Sequence, residues 1–164
     1  MMRHLTLALA VLMLAACHPK PAVPDQSGAA KSFLAENAKK PGVHVLPDGL
    51  QYTVVRAGPE GGLRPHLQDE VKVMYEGKLL SGKVFDSSYE RGQPAALPLK
   101  GLIPGWIEAL QMMRPGDKWI LYVPPELGYG AEGAGGGEIP GGAALIFKIE
   151  LIDVLPGPGS VAKG

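Results

Sequence analysis

Four stretches of the chain alternate apolar and polar side chains with a period of two, and a single stretch lying among them has helical spacing. Val71, Val73, Tyr75 and Leu79 alternate with Lys72, Met74, Glu76 and Lys78; Trp119, Leu121 and Val123 alternate with Ile120 and Tyr122. Leu145, Phe147, Ile149 and Leu151 alternate with Lys148 and Glu150, and Tyr52 and Val54 flank Thr53. A period of two sends every second side chain to the same face, so these segments are strands of a sheet with one buried face. Between Gly105 and Met113, by contrast, Trp106, Ile107, Leu110 and Met113 recur at helical offsets, and Arg114-Pro115-Gly116 ends the run. One short helix must then cover a whole sheet, which requires the sheet to curl around it. The expected fold is α+β: a curled antiparallel β-sheet, a half-barrel, wrapped around one short α-helix.

Composition excludes several alternatives. With 23 glycines and 16 prolines among 164 residues, an all-helical bundle or coiled coil is excluded. No repeat of about 20–50 residues recurs, so solenoids and propellers fall away. Sixteen basic side chains balance 16 acidic ones, leaving no field to grip a polyanion, and no nucleic-acid partner is expected. A single cysteine rules out an intrachain disulfide and a cysteine-based zinc cage. His4, His18, His44 and His66 are scattered without ligand spacing, so neither a metal nor a cofactor is expected. Gly133 to Gly137 lacks the Gly-Lys-Ser/Thr of a phosphate cradle and reads as a loop between strands. Ser87-Ser88 follows Phe85-Asp86 without a glycine elbow or a histidine partner, so nothing supports nucleophilic catalysis.

The N-terminus carries a different signal. Arg3 precedes a largely apolar run from Leu5 to Ala16, too short to span a bilayer and ending in small residues, as an export signal does. Leu14-Ala15-Ala16-Cys17 resembles the bacterial lipobox, which implies removal of residues 1–16 and acylation of Cys17. Stable anchoring takes more than one acyl chain, since each buried methylene contributes only about 0.8 kcal/mol. His18 in place of Asp after the cysteine implies the outer membrane, facing the periplasm. The proline-rich stretch from His18 to Ala30 reads as a tether, and Lys31 to Lys40 as one short helix closed by Pro41-Gly42. Residues 17–42 are thus expected to form a lipidated N-terminus, tether and short helix outside a compact domain of residues 43–155, with residues 156–164 a flexible tail.

Five aromatic residues stand next to turns: Tyr75, Phe85, Trp106, Tyr129 and Phe147. The stretches VKVMYEGKLLSGKVFDSS from Val71, GLIPGWIEAL from Gly101, MRPGDKWILYVPPELGYG from Met113 and IPGGAALIFKIELIDV from Ile139 together resemble the FKBP family of peptidyl-prolyl cis-trans isomerases. FLAENAKKPGVHVLPDGLQYTV upstream is similar to the periplasmic branch that includes the macrophage infectivity potentiators. The resemblance implies an apolar groove over the helix, with Trp106 as the floor for a substrate proline ring. Tyr75, Phe85, Leu102, Ile103 and Phe147 would be its walls, Ile139 its far wall and Leu97 part of its rim. Asp86 and Tyr129 would be its polar pair, the Tyr129 hydroxyl and the Ile103 backbone N–H donating to carbonyls flanking the proline. Asp86 also reads as a turn cap, and the two roles are compatible.

Such a groove suffices for this chemistry. Rotating an X-Pro bond crosses a barrier of about 18–20 kcal/mol because the amide loses conjugation, and no covalent bond breaks. An apolar site favours the twisted amide over the planar one, which is differential binding of the transition state. Clients containing proline, and inhibitors of the FK506 and rapamycin type, are the implied partners. The sequence departs from the family pattern at Pro94-Ala95-Ala96-Leu97, where the rim looks more open, at the glycine-rich loop from Tyr129 to Pro140, and at Gly141-Gly142 after it. A glycine-rich flap loses more entropy on ordering over substrate. The rival reading is a periplasmic chaperone or binding module with weak isomerase activity. Infectivity potentiators dimerise through a long N-terminal helical segment; with only Lys31 to Lys40 available, a monomer is expected.

Overall fold

The computed structural model describes residues 23–157; the export signal, Cys17, the tether as far as Ala22 and the tail beyond Gly157 lie outside the described residues. The elements, in chain order, are α1 (Ser27–Asn37), β1 (His44–Val45), β2 (Gln51–Arg56), β3 (Glu70–Leu79), β4 (Val84–Ser87), β5 (Ala95–Pro98), α2 (Pro104–Met112), β6 (Lys118–Val123) and β7 (Leu145–Leu155). The seven strands form one unclosed antiparallel sheet in the order β1-β2-β6-β7-β3-β4, with β5 pairing β3 beside β4.

The alternation read from the sequence is the alternation of burial. Val71, Val73 and Tyr75 of β3, Trp119, Leu121 and Val123 of β6, and Leu145, Phe147, Ile149 and Leu151 of β7 are all buried on one face. They pack on Trp106, Ala109 and Leu110 of α2, so the sheet curls around that helix as its scarcity of helices required. Gly105 lets α2 come close: a Cβ there would stand 2.9 Å from Val123 Cγ1. A bulge in β7 opposite Lys72 and Val73 turns Asp153 outward and Val154 inward, which keeps a carboxylate out of the core.

Four expectations need correction. Val54 is exposed, not buried, because β1 covers only the first two residues of β2 and a bulge follows Val54. The first helix starts at Ser27 and ends at Asn37, where Lys31 to Lys40 was expected. Nor does it stand apart from the domain. Buried Asn37 donates from Nδ2 to Gln51 Oε1 at 2.9 Å, Gln51 Nε2 donates to the Leu34 carbonyl at 2.9 Å, and the Phe33 ring lies 5.9 Å from that of Tyr122. Gln51 and Tyr122 are paired residues pointing away from α2, so α1 covers the outer face of the sheet. Finally, the tail is still held at Gly157, whose N–H donates to buried Asp69 Oδ1 at 3.0 Å.

On the outward side of α2, burial and the neighbouring Asp48 carboxylate push Glu108 up to about 7 from 4.5. The folded state therefore holds a proton there that the unfolded chain releases near pH 4.5, and stability falls as pH rises from 4.5 through 7. Glu108→Gln should raise stability at pH 8 by about 1–2 kcal/mol, allowing for solvent screening, and leave it nearly unchanged at pH 4. Urea denaturation at the two pH values checks this; an equal effect at both would contradict it.

Candidate functional site

A groove of about 260 Å³ opens over the N-terminal end of α2, lined by Tyr75, Phe85, Asp86, Leu97, Gly101, Leu102, Ile103, Trp106, Tyr129 and Phe147. Each strand and turn delivers its part for a local reason. Tyr75 is an inward position of β3, and Phe147 an inward position of β7. Trp106 lies in the first turn of α2, which Pro104 opens and Ile103 precedes in extended conformation. The rings meet edge to face in a chain: Tyr75 to Trp106 at 5.1 Å between centroids, Trp106 to Phe147 at 5.2 Å and Phe147 to Phe85 at 5.6 Å. That geometry sets the positive ring edge against the negative face and fixes all four rings.

Gly77 makes room for the last pair. It lies directly opposite Phe147 across β3 and β7, and a Cβ there would come within 2.6 Å of Phe147 Cε1 and 2.7 Å of Phe85 Cζ. A side chain at this inward position would push both rings into the groove.

The polar side of the groove is a closed triangle. Tyr75 donates from its hydroxyl to Asp86 Oδ2 at 2.5 Å, Arg91 Nη1 donates to Asp86 Oδ1 at 2.6 Å, and Arg91 Nη2 donates to the Tyr75 hydroxyl oxygen at 2.9 Å. Burial works against the Asp86 charge, yet the bonds from Tyr75 and Arg91 hold the carboxyl below its usual range. Tyr75 is pushed up by burial and by its bond to Asp86. Tyr129 is likewise raised by burial and the Asp86 charge, so its half-exposed hydroxyl remains a donor at neutral pH. The Ile103 N–H has no acceptor among the described residues and is a further free donor at the groove, and the buried indole N–H of the Trp106 floor likewise has no partner among them.

The end of β4, which carries Asp86, and the turn after it are held from behind. Tyr75 N–H donates to Ser88 Oγ at 2.8 Å and Ser88 N–H to the Tyr75 carbonyl at 2.9 Å, while Ser87 Oγ accepts from Glu90 N–H at 3.2 Å. Both serines are buried and serve the backbone.

Of the residues expected at the site, the structure brings together Tyr75, Phe85, Asp86, Leu97, Leu102, Ile103, Trp106, Tyr129 and Phe147. Ile139 is different: it is buried in the core, bridged to Ala134, and does not line the groove. Leu97, on β5, lines the groove at the rim where the sequence departs from the family pattern. Arg91 was not expected, because a lone arginine in a polar turn carries no signal that separates it from a solvated surface charge. Asp86 is hydrogen-bonded by Tyr75 and Arg91, while the Tyr129 hydroxyl, at the same groove, has no hydrogen-bond partner among the described residues.

The chain matches the family model of the FKBP-type peptidyl-prolyl cis-trans isomerases over residues 61–152, and that of the domain amino terminal to FKBP-type peptidyl-prolyl isomerase over residues 18–54. It is 56% identical over 124 residues to the peptidyl-prolyl cis-trans isomerase Mip of Coxiella burnetii, covering 76% of this chain and 53% of that protein. To the outer membrane protein MIP of Legionella longbeachae it is 47% identical, covering 75% of this chain and 52% of that protein. The crystal structure of FkpA from Escherichia coli superposes with a TM-score of 0.75 at 44% identity, over 80% of this chain and 60% of that one. The chain thus spans about half the length of the curated relatives it matches.

Because Gly77 sets the space for two rings, Gly77→Ala should cost about 1–3 kcal/mol in chemical denaturation. Gly101→Ala, also at the groove but with no atom within 4 Å of its Cβ, should change stability by less than about 0.5 kcal/mol. Equal losses for the two would show that Gly77 is not a packing constraint.

Proposed function

The chain belongs to the FKBP-type peptidyl-prolyl cis-trans isomerase family, and from that premise we propose that it catalyses cis-trans exchange of X-Pro bonds in proteins of the bacterial envelope. The observation that carries this reading is an apolar groove with an indole floor and, among the described residues, the Tyr129 hydroxyl and the Ile103 N–H as unpaired donors at its mouth. A proline ring would rest on Trp106, between Tyr75, Phe85 and Phe147, with Leu97, Leu102 and Ile103 around it. The carbonyls on either side would accept from the Tyr129 hydroxyl and the Ile103 N–H. Twisting the amide withdraws electron density from its carbonyl oxygen and leaves the proline nitrogen pyramidal. A site that removes water and offers little to the planar, charge-separated amide lowers the twist barrier relative to solution. The Asp86–Arg91–Tyr75 triangle would fix the wall and its charge without taking a proton at any step.

Envelope localisation rests on the lipobox-like Leu14-Ala15-Ala16-Cys17, and on similarity to a relative named an outer membrane protein. Acylated Cys17 would become the mature N-terminus at the outer membrane, facing the periplasm. Six positions separate it from Val23, the first described residue, a reach of at most about 20 Å. The anchored protein is read as a monomer with a catalytic domain from about residue 43, α1 being docked upon it.

Two experiments test the reading. Exchange in a peptide with an apolar residue before proline should be accelerated and be inhibited by FK506 or rapamycin. Tyr129→Phe should then lower kcat/KM somewhat under tenfold, about 1 kcal/mol, with little change in stability. A spontaneous rate in the presence of protein, with suppressed aggregation of an unfolded client, would favour a chaperone instead. Separately, Cys17→Ala should abolish fatty-acid labelling and release the protein from the outer membrane; undiminished labelling would refute the anchor.

A further inference from the structure

The loop between Tyr129 and Gly142 is bounded by a groove donor at one end and a short run of chain at the other. Within it, Gly133 N–H donates to the Tyr129 carbonyl at 3.1 Å, Ala134 and Ile139 exchange two backbone bonds, and Gly142 N–H donates to the Gly130 carbonyl at 2.9 Å. The stretch from Val23 to Ser27, which leads into the first residue of α1, crosses the outside of this loop at two places. At its base, Gln26 N–H donates to the Gly141 carbonyl at 2.9 Å. Gly142 adopts φ +70, and a Cβ there would lie 2.7 Å from Ser27 N and 2.8 Å from Asp25 Oδ2, and would collide with Ser27 Oγ. Near the tip, a Cβ on Gly137 would lie 3.1 Å from Val23 Cγ2. The crossing is itself shaped by Asp25, whose Oδ1 accepts Ser27 N–H at 2.9 Å, and it is anchored from below by α1 through Asn37 and Gln51.

We propose that residues 23–27 are a strap that holds the glycine-rich loop in its groove-forming arrangement before substrate arrives, making them a positioning element for Tyr129. This rests on the isomerase reading above. A loop this rich in glycine has many conformations to lose. If the strap removes them during folding, substrate need not, and the apparent affinity rises by the fraction of molecules already competent. The strap would therefore act on KM and inhibitor affinity while leaving kcat close to its original value.

The test uses the full chain, attacked from both sides of the contact: Asp25→Ala/Ser27→Ala loosens the strap, and Gly142→Ala pushes it off. Amide hydrogen exchange across Gly130–Gly142 should speed up in both, with α2 and β7 still protected. KM for a prolyl peptide and Kd for rapamycin should rise about fivefold or more, with kcat within twofold. Because Asp25 and Ser27 lie on the surface at the edge of the domain, the first variant stays folded even if Gly142→Ala does not. Unchanged loop exchange in the Asp25→Ala/Ser27→Ala protein would overturn the strap. Faster exchange with unchanged rapamycin affinity would overturn its role in binding. If no form of the protein accelerates peptide exchange, the isomerase reading fails, while loop exchange and rapamycin binding still decide for or against the strap.

Discussion

Trp106 sits at the joint between α2 and the sheet, edge to face with Tyr75 of β3 on one side and Phe147 of β7 on the other. That joint couples stability to the groove. A single helix must seal the concave side of a seven-stranded sheet, and an indole at its first turn contributes the largest apolar area available at that point. The indole is almost wholly buried, yet one face of it remains the floor of an open groove. The core could not close over it, because Gly77 withholds the side chain that would move Phe85 and Phe147 inward. Groove and core are two sides of the same four rings.

Around this apolar centre, charge is confined to one corner. Asp86 and Arg91 neutralise one another at the rim, and both bond the Tyr75 hydroxyl. With side chains roughly half exposed, the pair adds little to stability as an ion pair. Its effect is geometric: the hydroxyl and the carboxylate have no remaining freedom to turn into the groove. The serines behind them fix the end of β4 and the turn after it through the backbone, so the wall is rigid without any group held ready to donate or accept a proton. The low Asp86 pKa follows from this arrangement and preserves it down to acid pH, since the carboxylate keeps both bonds as long as it stays ionised.

What the sequence made legible was whatever follows from a repeating pattern. The inward residues of β3 and β7 and the helical spacing of α2 place three of the groove residues, Tyr75, Phe147 and Trp106, while Phe85, Asp86, Leu97, Leu102, Ile103 and Tyr129 are found only through the resemblance to the family. Features that depend on one contact between distant segments left no such trace. The first turn of α1, Ser27-Gly28-Ala29-Ala30, has no apolar period, although Ala30 is buried. Its docking turns on a polar pair, Asn37 with Gln51, that no periodicity rule selects. Arg91 is recognisable only once the chain has turned back at Tyr89 to Gly92. Ile139 failed as a groove residue for the opposite reason: its apolar character was read correctly, but the Ala134–Ile139 bridge sends it into the core.

The glycine-rich loop changes meaning between sequence and structure. As composition, its glycines signify entropy to be lost over substrate. In the fold, several of them are required by close backbone approach: a Cβ at Gly133 would collide with the Ile139 carbonyl, and one at Gly141 with the Ala131 carbonyl. The loop is therefore folded on itself, with its crossing strands nearer than any side chain would allow, and glycine is the residue that permits this packing. Flexibility in the unfolded chain and compactness in the native one come from the same missing Cβ. The entropy is lost when the domain folds, set against the backbone bonds that close the loop, and the mouth of the groove beside Tyr129 is formed by the fold itself.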